Sequence, residues 1–272
     1  MDIKAKTLNA HVPRTSNPGT VTITAGGVAR NIAHNLGMLG ADVSLMSVIG
    51  NDANGAMLLA HTAKAQVNTS TIIRVNEPTG TYVAMLNEHG ELITAVSDMS
   101  ILHHLSPEII NRNKDLFMAC AFIVADCNLS IESLSSIATE RLIVEPVSVS
   151  KSQRLIELLK TRKVFLATPN LDQIETLTGT RDPALAANKL HKLGLQNIVI
   201  HAGGLGAYVS DGSSITHIPS QAQTIVDVTG AGDAAMAGLV YGLMQNLTLE
   251  KSAALGQEMA ARVISTTAST LD

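Results

Sequence analysis

DVTGAGDAAMAG, Asp227–Gly238, is the stretch whose reading decides the fold. Ahead of it QTIVDV, 223–228, reads as the end of a strand; AAMAGLVYGLM, 234–244, reads as an apolar, alanine-rich helix. Gly230, Ala231, Gly232 and Asp233 therefore fall where a strand hands over to a helix. Glycines at such a turn bare several backbone N–H groups at a helix N-terminus, which suits an anion. Glycine is needed where the anion approaches the backbone closely or φ is positive. Asp233 is the odd element, because a carboxylate repels that anion. Two readings are open for it: an N-terminal helix cap, or a base that takes a proton from an attacking hydroxyl.

Working outward, the chain alternates strand and helix patterns. TVTIT (20–24) is a short β-branched run. In GGVARNIAHNLGMLG (26–40), Val28, Ile32, Leu36 and Leu39 recur at helix spacing and Gly40 fits a C-cap. DVSLMSVIG (42–50) has a buried-strand pattern, DANGAMLLAHTAKAQ (52–66) predicts a helix and STIIRV (70–75) a strand. The rhythm breaks at TGTYVAMLNEHGELITAVSD (79–98), where alternating residues flank EHG as in a hairpin. It then resumes. AFIVADC, RLIVEPV, KVFLATPN and QNIVIHAGG predict strands, interleaved with helices, and AYVSDGSSITHIP predicts an antiparallel pair around Asp211-Gly212. Such alternation predicts an α/β fold with a mostly parallel sheet flanked by helices. With no repeat or linker, the chain 1–272 is expected as a single domain with a small lid hairpin at about 70–98.

Composition excludes several function classes. Across 272 residues, 46% are hydrophobic and 15% charged, which is globular rather than disordered. A net charge of −4 and only 2% aromatic residues argue against a nucleic-acid partner. No run is apolar enough to span a membrane and no apolar leader opens the chain, so a soluble, cytoplasmic protein is expected. Cys120 and Cys127 have no metal or redox spacing and are expected as buried thiols.

Other stretches are weaker signals. GGLG, Gly203–Gly206, is either a tight turn or one wall of a nucleotide site. In AGGVARN (25–31) two glycines precede a helix, and Asn31 is either a surface residue or a contact for a hydroxylated ligand. His103, His104, His191 and His201 lack ligand spacing and are expected at the surface or locally bonded. There is no P-loop sequence and no Ser-His-Asp constellation to follow.

GGVARNIAHNLGMLGADVSLMSVIGND (26–52) and DVTGAGDAAMAG together resemble the two signatures of the PfkB, ribokinase-like carbohydrate kinases. SNPG (16–19), GGVARNIA (26–33), VADCNLS (124–130) and EPVSVSK (145–151) resemble the pseudouridine kinases within that family. The resemblance implies a ribokinase-like three-layer fold with a β lid over the sugar. It implies ATP-dependent, Mg²⁺-dependent phosphorylation of a sugar or nucleoside hydroxyl, most closely the 5′-hydroxyl of pseudouridine, with ribose or adenosine as alternatives. Asp233 would match the catalytic base and Gly230, Ala231 and Gly232 the anion hole. Asp2, Gly26, Gly27 and Asn31 would contact the sugar, and Ser16 and Lys151 the nucleoside. Asn170, Gly203, Gly206 and Thr229 would lie on the nucleotide side. Asp227 would lie near a monovalent-cation loop, taking K⁺ in several members. A homodimer through the lid is also implied.

Three departures from the family pattern stand out. The strand that precedes the aspartate matched by Asp2 is absent, which should leave ladder groups and apolar surface exposed, either because the start lies upstream or because the copy is degraded. In the N-x-x-E motif, tied to magnesium and phosphate, Asn170 is kept but the fourth position is Gln173, so Glu175 would have to substitute. Glu145 stands where the family has aspartate, and the end at Asp272 looks early.

Overall fold

The computed structural model is described over residues 1–222, 224–266 and 269–271, so the early end expected at Asp272 lies outside the described residues. The chain divides into two units. The first comprises Met1–Gly27 and Ser44–His104. Its strands β1 (Asp2–Thr7) and β2 (Gly19–Thr24) lead into helix α1 (Val28–Met38), which belongs to the second unit. The chain returns through β3 (Val48–Gly50), α2 (Ala53–Lys64), β4 (Ile73–Val75), β5 (Thr81–Leu86), β6 (Leu92–Asp98) and a 3₁₀ turn at Ser100–His104.

The hairpin expected from residues 79–98 is present as antiparallel β5 and β6, turned at Gly90 with φ 86°. It does not stand alone. It forms one edge of a four-stranded sheet in the order β2-β1-β5-β6. Strand β1 went unread in the sequence because two lysines interrupt it; Asp2 opens this strand rather than closing an earlier one. The register aligns Ile23, Ile3, Val83 and Val96 in one row across the sheet. Ile23 and Val96 are 56% and 66% exposed, so one face of this sheet is an open aliphatic surface. The strand expected over 42–50 shortens to β3, which pairs only with β4.

The second unit comprises Val28–Val43 and the chain from Leu105 onward. It holds α3 (Pro107–Arg112), α4 (Lys114–Ala119), β7 (Ile123–Asp126), α5 (Ile131–Ser136), β8 (Leu142–Glu145), α6 (Val149–Thr161) and β9 (Val164–Ala167). Then follow α7 (Leu171–Thr178), α8 (Pro183–Lys192), β10 (Leu195–His201), β11 (Ala207–Ser210), β12 (Ile215–Ile218), α9 (Ala231–Met244) and α10 (Leu249–Ile264). Its six strands run in the order β12-β11-β10-β9-β8-β7. The run from β7 to β10 is parallel and the last two strands are antiparallel. Leu142, Ile143 and Val144 of β8 are fully buried, as a strand covered on both faces must be. β7 ends the sheet, and its Ile123 and Val124 are only half-buried.

Two expectations are corrected here. QTIVDV is not a strand: among its described residues, Ile225, Val226 and Val228 are exposed and no ladder reaches them. The segment is held instead by Val226 N donating to Ile264 O at 2.7 Å. Cys120 is exposed and only Cys127 is buried, with burial pushing the Cys127 thiol up to about 12. Glycines explain the closest helix contact. A Cβ on Gly238 would press on Leu255 O, and one on Gly256 would run into Ala235 O, so α9 and α10 pack backbone to backbone.

Candidate active site

The small residues of α9 set its N-terminus against the C-terminal ends of the parallel strands, where ligands bind in open α/β sheets. A 340 Å³ cleft lies there, entirely within the second unit. One wall is the turn Gly230, Ala231, Gly232 and Asp233. The other includes Asn170, Gly203 and Gly206, with Glu145, Thr168 and His201 from the strand ends. The structure thus brings together seven of the residues expected to take part in the site, Gly230 to Asp233 with Asn170, Gly203 and Gly206.

The turn itself depends on glycine. Gly230 has φ 81° and is the N-cap of α9, and a Cβ there would run into the Ser269 carbonyl oxygen. The same segment is fixed at its end, where Leu271 is buried and its N–H donates to Asn35 Oδ1 at 2.8 Å. At Gly232, by contrast, a Cβ would meet nothing within 4 Å, so this position opens onto free space.

Asp233 is the third residue of α9, and its side chain is held from α1. Asn31 Nδ2 donates to Asp233 Oδ2 at 2.6 Å. The buried Arg30 guanidinium donates to Asn31 Oδ1, which fixes the amide orientation. Burial pushes the Asp233 carboxyl well above the usual carboxylate range, opposed by the Asn31 hydrogen bond and reinforced by Glu145 and Asp126. Asp233 is half-buried, sheltered but reachable. Glu145 is raised to about 7, by burial first, although it accepts from Thr168 Oγ1 at 2.5 Å and Val147 N at 3.2 Å. Asp126 is raised by burial too, and accepts from Ala29 N at 3.2 Å in the first turn of α1.

Other sequence candidates fall elsewhere. Gln173 lines the cleft but is committed to a capping box: its Oε1 accepts from Asn170 N at 2.8 Å, and Asn170 Oδ1 accepts from Gln173 N at 2.9 Å. Glu175 does not line the cleft. It is half-exposed and paired with Arg181 at 2.8 Å, so it is not placed to replace the missing carboxylate. Lys151 also lies outside the lining, on the first turn of α6, donating to Asn128 Oδ1. Asp227 accepts from Thr229 N at 2.8 Å, closing a local turn, and neither residue lines the cleft. In the first unit, Asp2 lies against Gly26, where a Cβ would collide with its carboxylate; Gly27 has φ 102°, and Ser16 is exposed in the β1–β2 loop.

Sequence reasoning missed His201 as a cleft residue. It sits at the end of β10, its Nε2 is buried with no hydrogen-bond partner among the described residues, and burial lowers it to about 4. The signal was its place at the strand end just before GGLG. The residues fit a magnesium nucleotide. Bare amides and an unpartnered imidazole nitrogen would suit phosphate oxygens, and two mutually repelling carboxylates, Glu145 and Asp233, are oxygen donors of the kind Mg²⁺ prefers.

A turn of bare amides beside a sheltered carboxylate, at the C-terminal ends of parallel strands, suits phosphoryl transfer to a hydroxyl. The chain belongs to the pfkB family of carbohydrate kinases, whose pattern matches residues 1–272. It is 36% identical to the uncharacterized sugar kinase YeiI of Escherichia coli K12, over 96% of this chain and 75% of that protein. It is 34% identical to the pseudouridine kinase of the same organism, over 92% and 83%. A carbohydrate kinase from Agrobacterium tumefaciens superposes with a TM-score of 0.82 at 27% identity, covering 99% of this chain and 89% of that one. Kinases of this family use ATP and typically Mg²⁺. Among the described residues, no helix is long and apolar enough to cross a membrane.

Proposed function

We propose that the protein transfers the γ-phosphoryl group of ATP to the 5′-hydroxyl of pseudouridine. The observation that carries the chemistry is Asp233, fixed by Asn31 at the mouth of a turn of bare amides. Bound MgATP supplies the phosphoryl group and divalent charge. Asp233 takes the proton of the attacking hydroxyl, and the N–H groups at the start of α9 hold negative charge that develops opposite it. With a divalent cation held by Glu145, both carboxylates would favour the ionised form, and Asp233 would so be readied as a base. The pseudouridine choice rests on the 34% identical relative and on Ser16, Lys151 and the sugar-side residues Asp2, Gly26 and Gly27. ADP release measured across pseudouridine, uridine, adenosine, ribose and guanosine tests it. Equal or better turnover on any other substrate overturns the choice.

Gln173 favours a second reading, a protein that binds nucleoside and turns it over weakly, because an amide already used for capping brings no charge to a metal. Nucleoside affinity without ADP release would select it. The same proposal includes K⁺ near Asp227, tested by replacing K⁺ with choline, and a homodimer through the open aliphatic face of the four-stranded sheet.

A further inference from the structure

In the first unit, the loop after β4 and the 3₁₀ turn after β6 bring together Glu77, His103 and His104. Their three donor atoms lie within 4.8 Å of one another. His104 Nε2 is 2.7 Å from Glu77 Oε1, and His103 Nε2 is 3.8 Å from the same oxygen. We propose that these side chains form a binding site for a divalent transition-metal ion of the zinc class, separate from the magnesium nucleotide cleft.

The chemistry of His103 carries this furthest. Its Nδ1 is 2.7 Å from Ser100 O, and a carbonyl oxygen can only accept. Nδ1 therefore holds the proton in the neutral ring, and the lone pair of Nε2 faces the Glu77 carboxylate. Two acceptors turned toward each other call for a positive charge between them, supplied by a proton on Nε2 or by a metal ion that displaces it. A backbone carbonyl holding the remote ring nitrogen is also how metal-binding histidines are oriented. Donors around a tetrahedral zinc are about 3.3 Å apart, given bonds of about 2.0–2.1 Å; the observed 2.7 and 3.8 Å bracket that spacing. The two rings lie side by side, centroids 4.0 Å apart and tilted 35°. Two imidazoles and one carboxylate select zinc, nickel or copper over magnesium, which prefers oxygen alone.

The scaffold is firm on the carboxylate side. Asp52, the N-cap of α2, accepts from Thr79 N at 2.8 Å and Thr79 Oγ1 at 2.6 Å, anchoring the loop that carries Glu77. Glu77 lies just before β5 and the histidines just after β6. A bound ion therefore clips the base of the hairpin, closing the loop that contains both strands.

The test uses full-length protein freed of any histidine tag and stripped with chelator. Zn²⁺ is titrated calorimetrically, and Co²⁺ serves as a visible-absorption probe. Expected are one Zn²⁺ per chain, a Co²⁺ spectrum of tetrahedral character and a rise in thermal midpoint with Zn²⁺. Glu77→Gln, His103→Ala and His104→Ala should each weaken Zn²⁺ at least tenfold, whereas Glu145→Gln should leave it unchanged. The histidine side chains are 61% and 32% exposed, so folding is not at stake, and far-UV circular dichroism checks it. Failure to bind Zn²⁺, or equal affinity after the His103→Ala/His104→Ala double substitution, overturns the proposal.

Discussion

Replacing Glu145 with glutamine should remove the pH dependence of stability that this residue imposes. Burial pushes Glu145 from its ordinary 4.5 up to about 7. The folded state thus holds this proton more tightly than the unfolded chain. The contribution is fully favourable below pH 4.5 and is lost as pH rises through 7. At 1.36 kcal/mol per pH unit, ionising Glu145 costs the fold roughly 3 kcal/mol above pH 7. Protonated glutamic acid and glutamine have nearly the same shape, and the glutamine oxygen can still accept from Val147 N. Near pH 5 the two proteins should therefore agree to within about 1 kcal/mol, one hydrogen bond's worth. At pH 8 Glu145→Gln should be the more stable by roughly 2–3 kcal/mol. The chain has no Trp, so urea unfolding followed by far-UV circular dichroism in chelator is the suitable assay. Stability curves of wild type and variant that run parallel from pH 5 to 8 would refute the reasoning.

Asp233→Asn should lower turnover by about 10²–10⁴-fold, with nucleoside affinity kept and no fall in thermal midpoint at pH 8, since a carboxyl held above its usual range is removed; turnover within about threefold of wild type, well short of that range, would sink its role as base. Gln173→Glu should keep the capping box, through an oxygen that still accepts from Asn170 N, and raise activity at limiting Mg²⁺; an unchanged Mg²⁺ dependence counts against a missing charge at this position. Lys151→Ala should shift the preference between pseudouridine and uridine, and an unmoved ratio of kcat/KM removes Lys151 from substrate choice. Val96→Glu with Ile23→Glu should halve the solution mass measured by light scattering; a monomeric wild type ends the dimer reading at once.

Much of the α/β order was legible because each buried strand is a short apolar run closed by a turn signal, and the hairpin because its alternation flanks Gly90. QTIVDV misled because β-branched residues make a strand only where a neighbour supplies a ladder, and its described residues have none. The helix at Pro107–Arg112 carried a readable Ser-Pro start at Ser106-Pro107 that the reading passed over. Within the site, the glycine turn was legible from residue type and spacing, whereas Asn31, expected at the helix surface or on a hydroxylated ligand, is buried with its amide bonded to Asp233 and Arg30. His201 was not, because its importance comes from burial without a partner. The displacement of Glu175 was also hidden, since an adjacent helix position does not reveal that Arg181 holds it outside the cleft.

The close approach of Ser269 to Gly230 ties a segment distant in sequence from Asn31 to the turn at the start of α9. The turn that bares its amides to phosphate is braced from behind by a backbone carbonyl, and that carbonyl is seated by Leu271 against Asn35. A substitution that loosens this seat, such as Leu271→Ala, would act as a dial on turnover rather than a bystander, although Leu271 does not line the cleft. An epitope placed at the Gly90 turn would leave that brace alone.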